Sequence, residues 1–230
     1  MGMDDMFGWN SKPPGIHRRS IETSGAYDGG LAALTHGLMA GTHVASNLGW
    51  RVIEALTVGD MVLTFDHGMR EITEIRRSTV WLDAPETSPA MWPVIIPTDA
   101  LGNRTELTLL ADQGVLVESD AAADMYGDPF AIIPAHVLEG VRGIYRAAPP
   151  HQVELIAVYF ADEEVIYAEG GALIHCPANS LALDKFIEAK PSTYDVLNIR
   201  DAAFLAECLT IEDQMLAKGS PVASQMAAHC

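Results

Sequence analysis

Gly37-Leu38-Met39-Ala40-Gly41-Thr42-His43-Val44-Ala45, followed by Gly49-Trp50-Arg51-Val52-Ile53-Glu54-Ala55-Leu56-Thr57-Val58-Gly59-Asp60-Met61-Val62-Leu63-Thr64, is where this chain passes from irregular to patterned sequence. From Thr42 on, short alternating runs are cut by turn residues, the period of strands with one face buried. The runs are His43–Ser46, Trp50–Ala55, Met61–Phe65, Glu71–Leu82, Trp92–Ile96, Thr105–Leu110 and Val115–Glu118. Asp66-His67-Gly68-Met69 lies between two of them, and Gly68 can take the positive φ that a short hairpin loop demands, so a hairpin is expected there. Phe130–Ile133, Gly143–Tyr145, Glu154–Phe160 and Val165–Ala168 add strands, with Asp162-Glu163-Glu164 as a charged turn between the last pair. Pro134 through Gly140 reads as one helical turn opened by Pro and closed by Gly. The fold class is mostly β.

The flanks differ from this centre. Residues 1–35 carry Gly, Pro, Ser and charges with little periodicity and read as a flexible N-terminal arm, with room for a short helix at Leu31–His36. After a β domain spanning 36–180, a helical extension over 181–219 is expected, and then a frayed tail, 220–230. Its helices are Leu181–Ala189 and Asp201–Lys218. In the second, Ala203, Phe204, Cys208, Ile211, Met215 and Leu216 fall near a 3.6-residue period, with Asp201 as N-cap and Gly219 as the stop. That helix can pack on its own domain or on another chain; the former needs no second molecule and is the expectation.

Composition excludes several partners. Lys+Arg 14 against Asp+Glu 31 gives a formal net charge of -17, and no basic cluster offsets it, so neither nucleic acid nor an anionic membrane is expected as a partner. The start has no basic region and apolar run of a signal peptide, and no 18-residue apolar stretch occurs, which points to a cytoplasmic protein. Cys176, Cys208 and Cys230 are odd in number and far apart, as expected of reduced thiols rather than a disulfide framework.

The opening stretch resembles the start of the hedgehog/intein (Hint) domain family. In that family a nucleophilic Cys begins a Cys-x-x-x-Gly-Thr stretch, a hairpin follows, and then Val-x-x-Leu-x-x-Gly-Asp-x-Val-Leu. Here Gly37-Leu38-Met39-Ala40-Gly41-Thr42 and Val52 through Leu63 are similar to these. Ala100-Leu101-Gly102-Asn103, Leu109 through Val117, Ile132-Ile133-Pro134-Ala135 and Ala168-Glu169-Gly170 resemble later landmarks of the bacterial stand-alone Hint pattern, in the same order. The resemblance covers about residues 37–180. It implies a Hint-like, pseudo-twofold all-β domain, here with C-terminal α-helices, that brings the domain's first residue beside a later histidine.

It also implies a chemistry. The leading Cys attacks the carbonyl before it and turns an amide into a thioester, while a Thr/Ser-x-x-His segment polarises that amide and protonates its nitrogen. The matching nucleophile position is Gly37, which has no side chain; the Ser/Thr position is Leu110; the His position is Gln113. Gln can hydrogen-bond a carbonyl but cannot shuttle a proton near neutral pH. The expectation is a domain degenerate at its catalytic positions, without autoproteolysis or splicing, that serves as a binding or scaffold module. The alternative is self-processing by an acyl shift to a non-standard nucleophile: Cys176 beside His175, or a hydroxyl such as Thr35, Thr42 or Ser46.

Adjacent strand residues point to opposite faces, which keeps His175 from acting as base for Cys176 and favours a buried structural thiol. His43, His136, His151, His175 and Cys176 show no HxH or CxxC spacing, so no metal is expected; Glu118, Asp120, Asp124 and Asp128 do not follow a calcium-loop spacing. No Gly-rich phosphate loop or Ser/His/Asp spacing occurs, and no cofactor is expected. Phe7 and Trp9, aromatics on the arm, offer a contact for a protein partner or a place to fold back on the domain.

Overall fold

The computed structural model describes residues 21–27, 36–81, 88–149, 152–178, 194 and 196–219, with only the backbone at 21–27, 80, 81 and 219. Phe7, Trp9, Thr35, His151, the helix expected at Leu181–Ala189 and the tail after 219 lie outside these residues.

The described strands are β1 Ile21–Tyr27, β2 Leu38–Met39, β3 His43–Ser46, β4 Gly49–Val52, β5 Met61–Thr64, β6 Gly68–Glu71, β7 Glu74–Trp81, β8 Val94–Ile96, β9 Leu107–Leu109 and β10 Gly114–Glu118. After helix α1, Asp120–Tyr126, come β11 Phe130–Pro134, β12 Tyr145–Arg146, β13 Gln152–Tyr159, β14 Glu164–Ala168 and β15 Ala172–Cys176, and then helix α2, Ile199–Gly219. They form two sheets. One runs β1-β7-β13-β2-β9-β8-β12; the other runs β11-β10-β15-β14-β3-β5-β6, with β4 on β3. These strands pair antiparallel with one another except β1 with β7, which is parallel, and Ile132 of β11 makes an isolated parallel bridge to Val196.

The expected hairpin forms where Gly68, at φ 67°, turns β5 into β6, and the Thr64 hydroxyl braces it by donating to the Gly68 carbonyl at 2.9 Å. The single strand expected over Glu71–Leu82 is two strands in different sheets. Between them Ile72 is fully buried, its N–H given to the Asp60 carbonyl, while the Thr73 N–H turns to the Tyr159 carbonyl of the other sheet. The run at Trp50–Ala55 likewise stops at Val52, where a 3-10 turn sinks Ile53 into the core.

Two further expectations are corrected. The segment read as a flexible arm contains β1, whose seven residues pair in register with Ile21 opposite Glu74 and Tyr27 opposite Val80. An edge strand carries little periodic signal when only a partner distant in sequence defines it. The N-cap of α2 is Asn198 rather than Asp201: its Oδ1 accepts from the N–H groups of Arg200 and Asp201, both at 3.1 Å.

The core lies between the sheets, with Val44, Val62, Ile75, Ile96, Leu109 and Ile166 among its fully buried members. α2 joins it through Ala202, Leu205, Ala206 and Leu209. The residues read from the sequence as the packing face are not these. Phe204, Ile211, Met215 and Leu216 are all exposed.

Candidate functional site

β2 has only two residues and exists because it is gripped on both sides: Leu38 pairs with Ile156 and Leu109, and Met39 with Leu155. This places Gly37, just ahead of β2, at the centre of its sheet. Gly37 sits at φ 136°, a backbone region that L side chains rarely adopt. Space is not the obstacle, since a Cβ there would lie 3.6 Å from the nearest atom, the Ile156 carbonyl oxygen.

The Gly37 N–H donates to Gln113 Oε1 at 2.9 Å. The structure therefore joins the two positions that the sequence reading singled out, 76 residues apart. Gln113 lies in the turn between β9 and β10, where its N–H closes on the Leu110 carbonyl at 3.1 Å, and it is buried. Its Nε2 donates to the His175 carbonyl at 2.8 Å and to the Gly114 carbonyl at 3.2 Å. These partners fix the orientation of the carboxamide: only the oxygen can face an N–H, and only the NH2 can face two carbonyls. Leu110 adds no polar group to the site and is buried against Val153 and Leu155.

His175 meets Gln113 through its backbone; its ring points elsewhere. Nε2 lies 3.4 Å from Glu163 Oε2, the ring stands edge-on to Tyr194 at 6.1 Å, and it fills the space that a side chain on Gly114 would need. Burial holds the His175 pKa below the ordinary value, against the opposing pull of Glu163. Cys176 faces the main core, where burial is the first cause that pushes its thiol up to about 12. A thiol held there is protonated at any physiological pH.

The Ser46 hydroxyl donates to the Gly49 carbonyl at 2.8 Å and braces the β3–β4 turn, and Thr42 is buried. His43 contacts Glu169, and His136 contacts Asp112 and the Ala111 carbonyl, on separate parts of the molecule. Among the described residues no group of three His, Cys, Asp or Glu side chains could hold a metal ion.

One part of the site escapes the sequence reading. His36, whose carbonyl belongs to the peptide bond entering Gly37, places Nε2 2.7 Å from the Tyr159 hydroxyl. Arg76 Nη1 donates to the same hydroxyl at 3.1 Å, lies over the Tyr159 ring, and is itself held by Glu74 at 2.7 Å. A neutral His36 imidazole with its proton on Nδ1 lets the Tyr159 hydroxyl donate to Nε2 while its oxygen accepts from Arg76. Burial first, then the charge of Arg76, keeps His36 below the ordinary histidine value, in agreement. Burial raises Tyr159 in turn.

The geometry is thus a peptide bond, 36–37, held on both sides: its acyl residue by Tyr159, its N–H by Gln113. The family model described as the Hint domain matches residues 36–174, more than half of the chain. The chain belongs to the Hint domain family. Solved structures similar to this Hint domain include the gp41-1 intein, at 17% identity and TM-score 0.40 over 61% of this chain and 98% of that one. The bacterial intein-like domain from Clostridium thermocellum is similar at 14% identity and TM-score 0.37, over 60% of this chain and 97% of that one. No curated protein sequence matches the chain. Among its described residues no helix is long and apolar enough to cross a membrane.

Proposed function

We propose that this Hint domain performs no rearrangement of its own backbone and serves as a binding or scaffold module. The observation that carries the reading is the Gly37 N–H bound to Gln113 Oε1. An acyl shift at this bond needs a nucleophile at position 37 and an acid that protonates the amide nitrogen as it leaves. Gly37 supplies no nucleophile. The carboxamide oxygen can only accept from the N–H, which strengthens amide resonance instead of weakening it, and the rest of the group is committed to two carbonyls. General acid–base help is worth roughly 10²–10⁴ in rate, so its loss compounds the missing nucleophile.

The arm residues Phe7 and Trp9 are the proposed contact with a protein partner, because aromatic side chains give large contact area at low entropic cost. Intact-mass measurement of the purified chain over several days, with and without dithiothreitol or hydroxylamine, tests the catalytic half of the reading. A constant full-length mass is expected; a fragment pair from scission at 36–37, or any fragment lost on Cys176→Ala, overturns it. Capture experiments with and without residues 1–35 test the contact, and retention of the same partner by the truncated chain removes the arm from the proposal.

A further inference from the structure

α2 is 21 residues long, roughly 30 Å, and among the described residues it packs on the core through one face. Ala202, Leu205, Ala206 and Leu209 are buried. Phe204, Cys208, Ile211 and Met215 follow one another at steps of four, three and four and form a second apolar stripe, turned roughly 140° away from the first at about 100° per residue. Phe204 is 52% exposed, Ile211 51% and Met215 68%, and Cys208 is partly exposed. The spacing is that of a helix seam that expects another helix.

The charges around the stripe are arranged with it. Glu212 turns aside to accept from the Ser119 hydroxyl at 2.8 Å and the Ala121 N–H at 3.1 Å, at the start of α1. Asp213 is held by both Nε and Nη2 of Arg142, each at 2.8 Å. Glu212 is thereby drawn aside and Asp213, at about 100° per residue, lies toward the packed face, so in a chain of formal net charge -17 the acid left beside the middle of the stripe is Glu207, on its flank. One further step of the same seam at each end reaches Asp201 and Lys218, which are opposite in charge.

We propose that this stripe docks a second copy of the chain, α2 against α2 in antiparallel orientation. Reversing the helix on itself about a point between Leu209 and Thr210 sets Phe204 against Met215, Cys208 against Ile211, and Asp201 against Lys218, each twice by symmetry. A large side chain meets a flexible one, a small one meets a branched one, and each end closes with an ion pair. Glu207, on the flank, comes beside Gln214 of the second copy rather than beside an acid. The parallel arrangement would set Asp201 against Asp201 and Lys218 against Lys218, and is disfavoured. The proposal is independent of whether the domain processes itself, because the stripe lies on α2 and the candidate site lies on β2 and the β9–β10 turn.

Sedimentation equilibrium of the full chain at about 0.15 M salt, from about 1 μM to about 1 mM, is the first measurement, a range that covers a weak helix-on-helix interface. The expected result is a mass that rises with concentration toward twice 24.8 kDa. Ile211→Glu, and separately Met215→Glu, are each expected to weaken association by roughly tenfold or more without changing the thermal midpoint of the dilute chain, since both residues are exposed. Orientation is read by mild oxidation of Ile211→Cys in a Cys230→Ala background, where the antiparallel seam joins position 211 of one copy to Cys208 of the other. A chain that stays monomeric throughout, a dimer untouched by both Glu variants, or cross-links that join Cys208 to Cys208 each overturn the proposal.

Discussion

The Gln113 carboxamide offers one oxygen and two N–H bonds, and each is engaged by backbone: Gly37 N–H at 2.9 Å, the His175 carbonyl at 2.8 Å and the Gly114 carbonyl at 3.2 Å. Gln113→Ala removes the side-chain partner of one N–H and two carbonyls, and each group left buried without a partner costs about 1–3 kcal/mol. Urea denaturation should show a loss of about 2–4 kcal/mol, with no change in chain mass over time. A loss below about 1 kcal/mol would mean that water or relaxation replaces the carboxamide. The two histidines of the site, His175 buried and His36 partly so, set a second expectation. Burial is the leading cause that holds both His36 and His175 below the ordinary value of 6.5. Below pH 6.5 the unfolded chain therefore binds protons that the folded chain still refuses, and stability rises with pH wherever the unfolded state holds more protons. Stability is then greatest above about pH 6.5, declines as pH falls from there toward the lowered folded values, and levels off below them. Urea midpoints at about pH 7.5 and about pH 5.5 should differ in that direction, and the difference should shrink in His175→Gln and in His36→Asn. An undiminished slope in both variants would assign the effect to other groups.

Elements were legible in the sequence wherever their cause was local. The β5–β6 hairpin could be read from Gly68 because a positive φ is demanded by the turn itself, and the 3-10 turn at Ala135–Leu138 lies between Pro134 and Gly140, the residues that mark it in the sequence. β2 could not be read: two residues make no pattern, and the strand is defined by Ile156 and Leu109, more than 70 residues away in the chain. The break between β6 and β7 was hidden for a related reason. Ile72 and Thr73 are β-branched and suit a strand interior as well as a break, and the Tyr159 carbonyl on the opposite sheet decides where the chain crosses. In α2 the period was right and the face was wrong, because the larger apolar residues draw the eye while small ones, Ala202 and Ala206 with Leu205 and Leu209, let the helix approach the core closely. The site divides in the same way. Gly37 and Gln113 were reached through family resemblance, whereas the His36–Tyr159 contact spans 123 residues with no local mark on either side.

At the scale of the whole molecule the dominant fact is the imbalance of 31 acidic against 14 basic side chains. Five described arginines, Arg51, Arg70, Arg76, Arg142 and Arg146, each sit within ion-pair distance of a carboxylate, so the basic side chains already work locally. The surplus of acid remains and acts over longer range. Two effects of added salt then oppose one another. Exposed ion pairs are worth about 0–1 kcal/mol each and weaken when screened. Repulsion among the surplus carboxylates is also screened as the Debye length falls from about 30 Å at 0.01 M to about 10 Å at 0.1 M. The repulsion should decide the sign: it is summed over many pairs at long distance, which screening removes first, while the Glu164 pair with Arg70 is close and its carboxylate buried, so it is affected least. The thermal midpoint is therefore expected to rise by roughly 2–4 °C between about 0.01 M and about 0.1 M NaCl, the shift that about 1 kcal/mol produces in a domain near this size. Chloride rather than sulfate is the salt to use, since sulfate strengthens apolar burial by exclusion. Scanning calorimetry on chain dilute enough to be monomeric keeps this effect apart from the α2 contact, which salt would also favour by bringing two acidic bodies together. A midpoint that falls with salt under those conditions would mean that the local ion pairs outweigh the net charge.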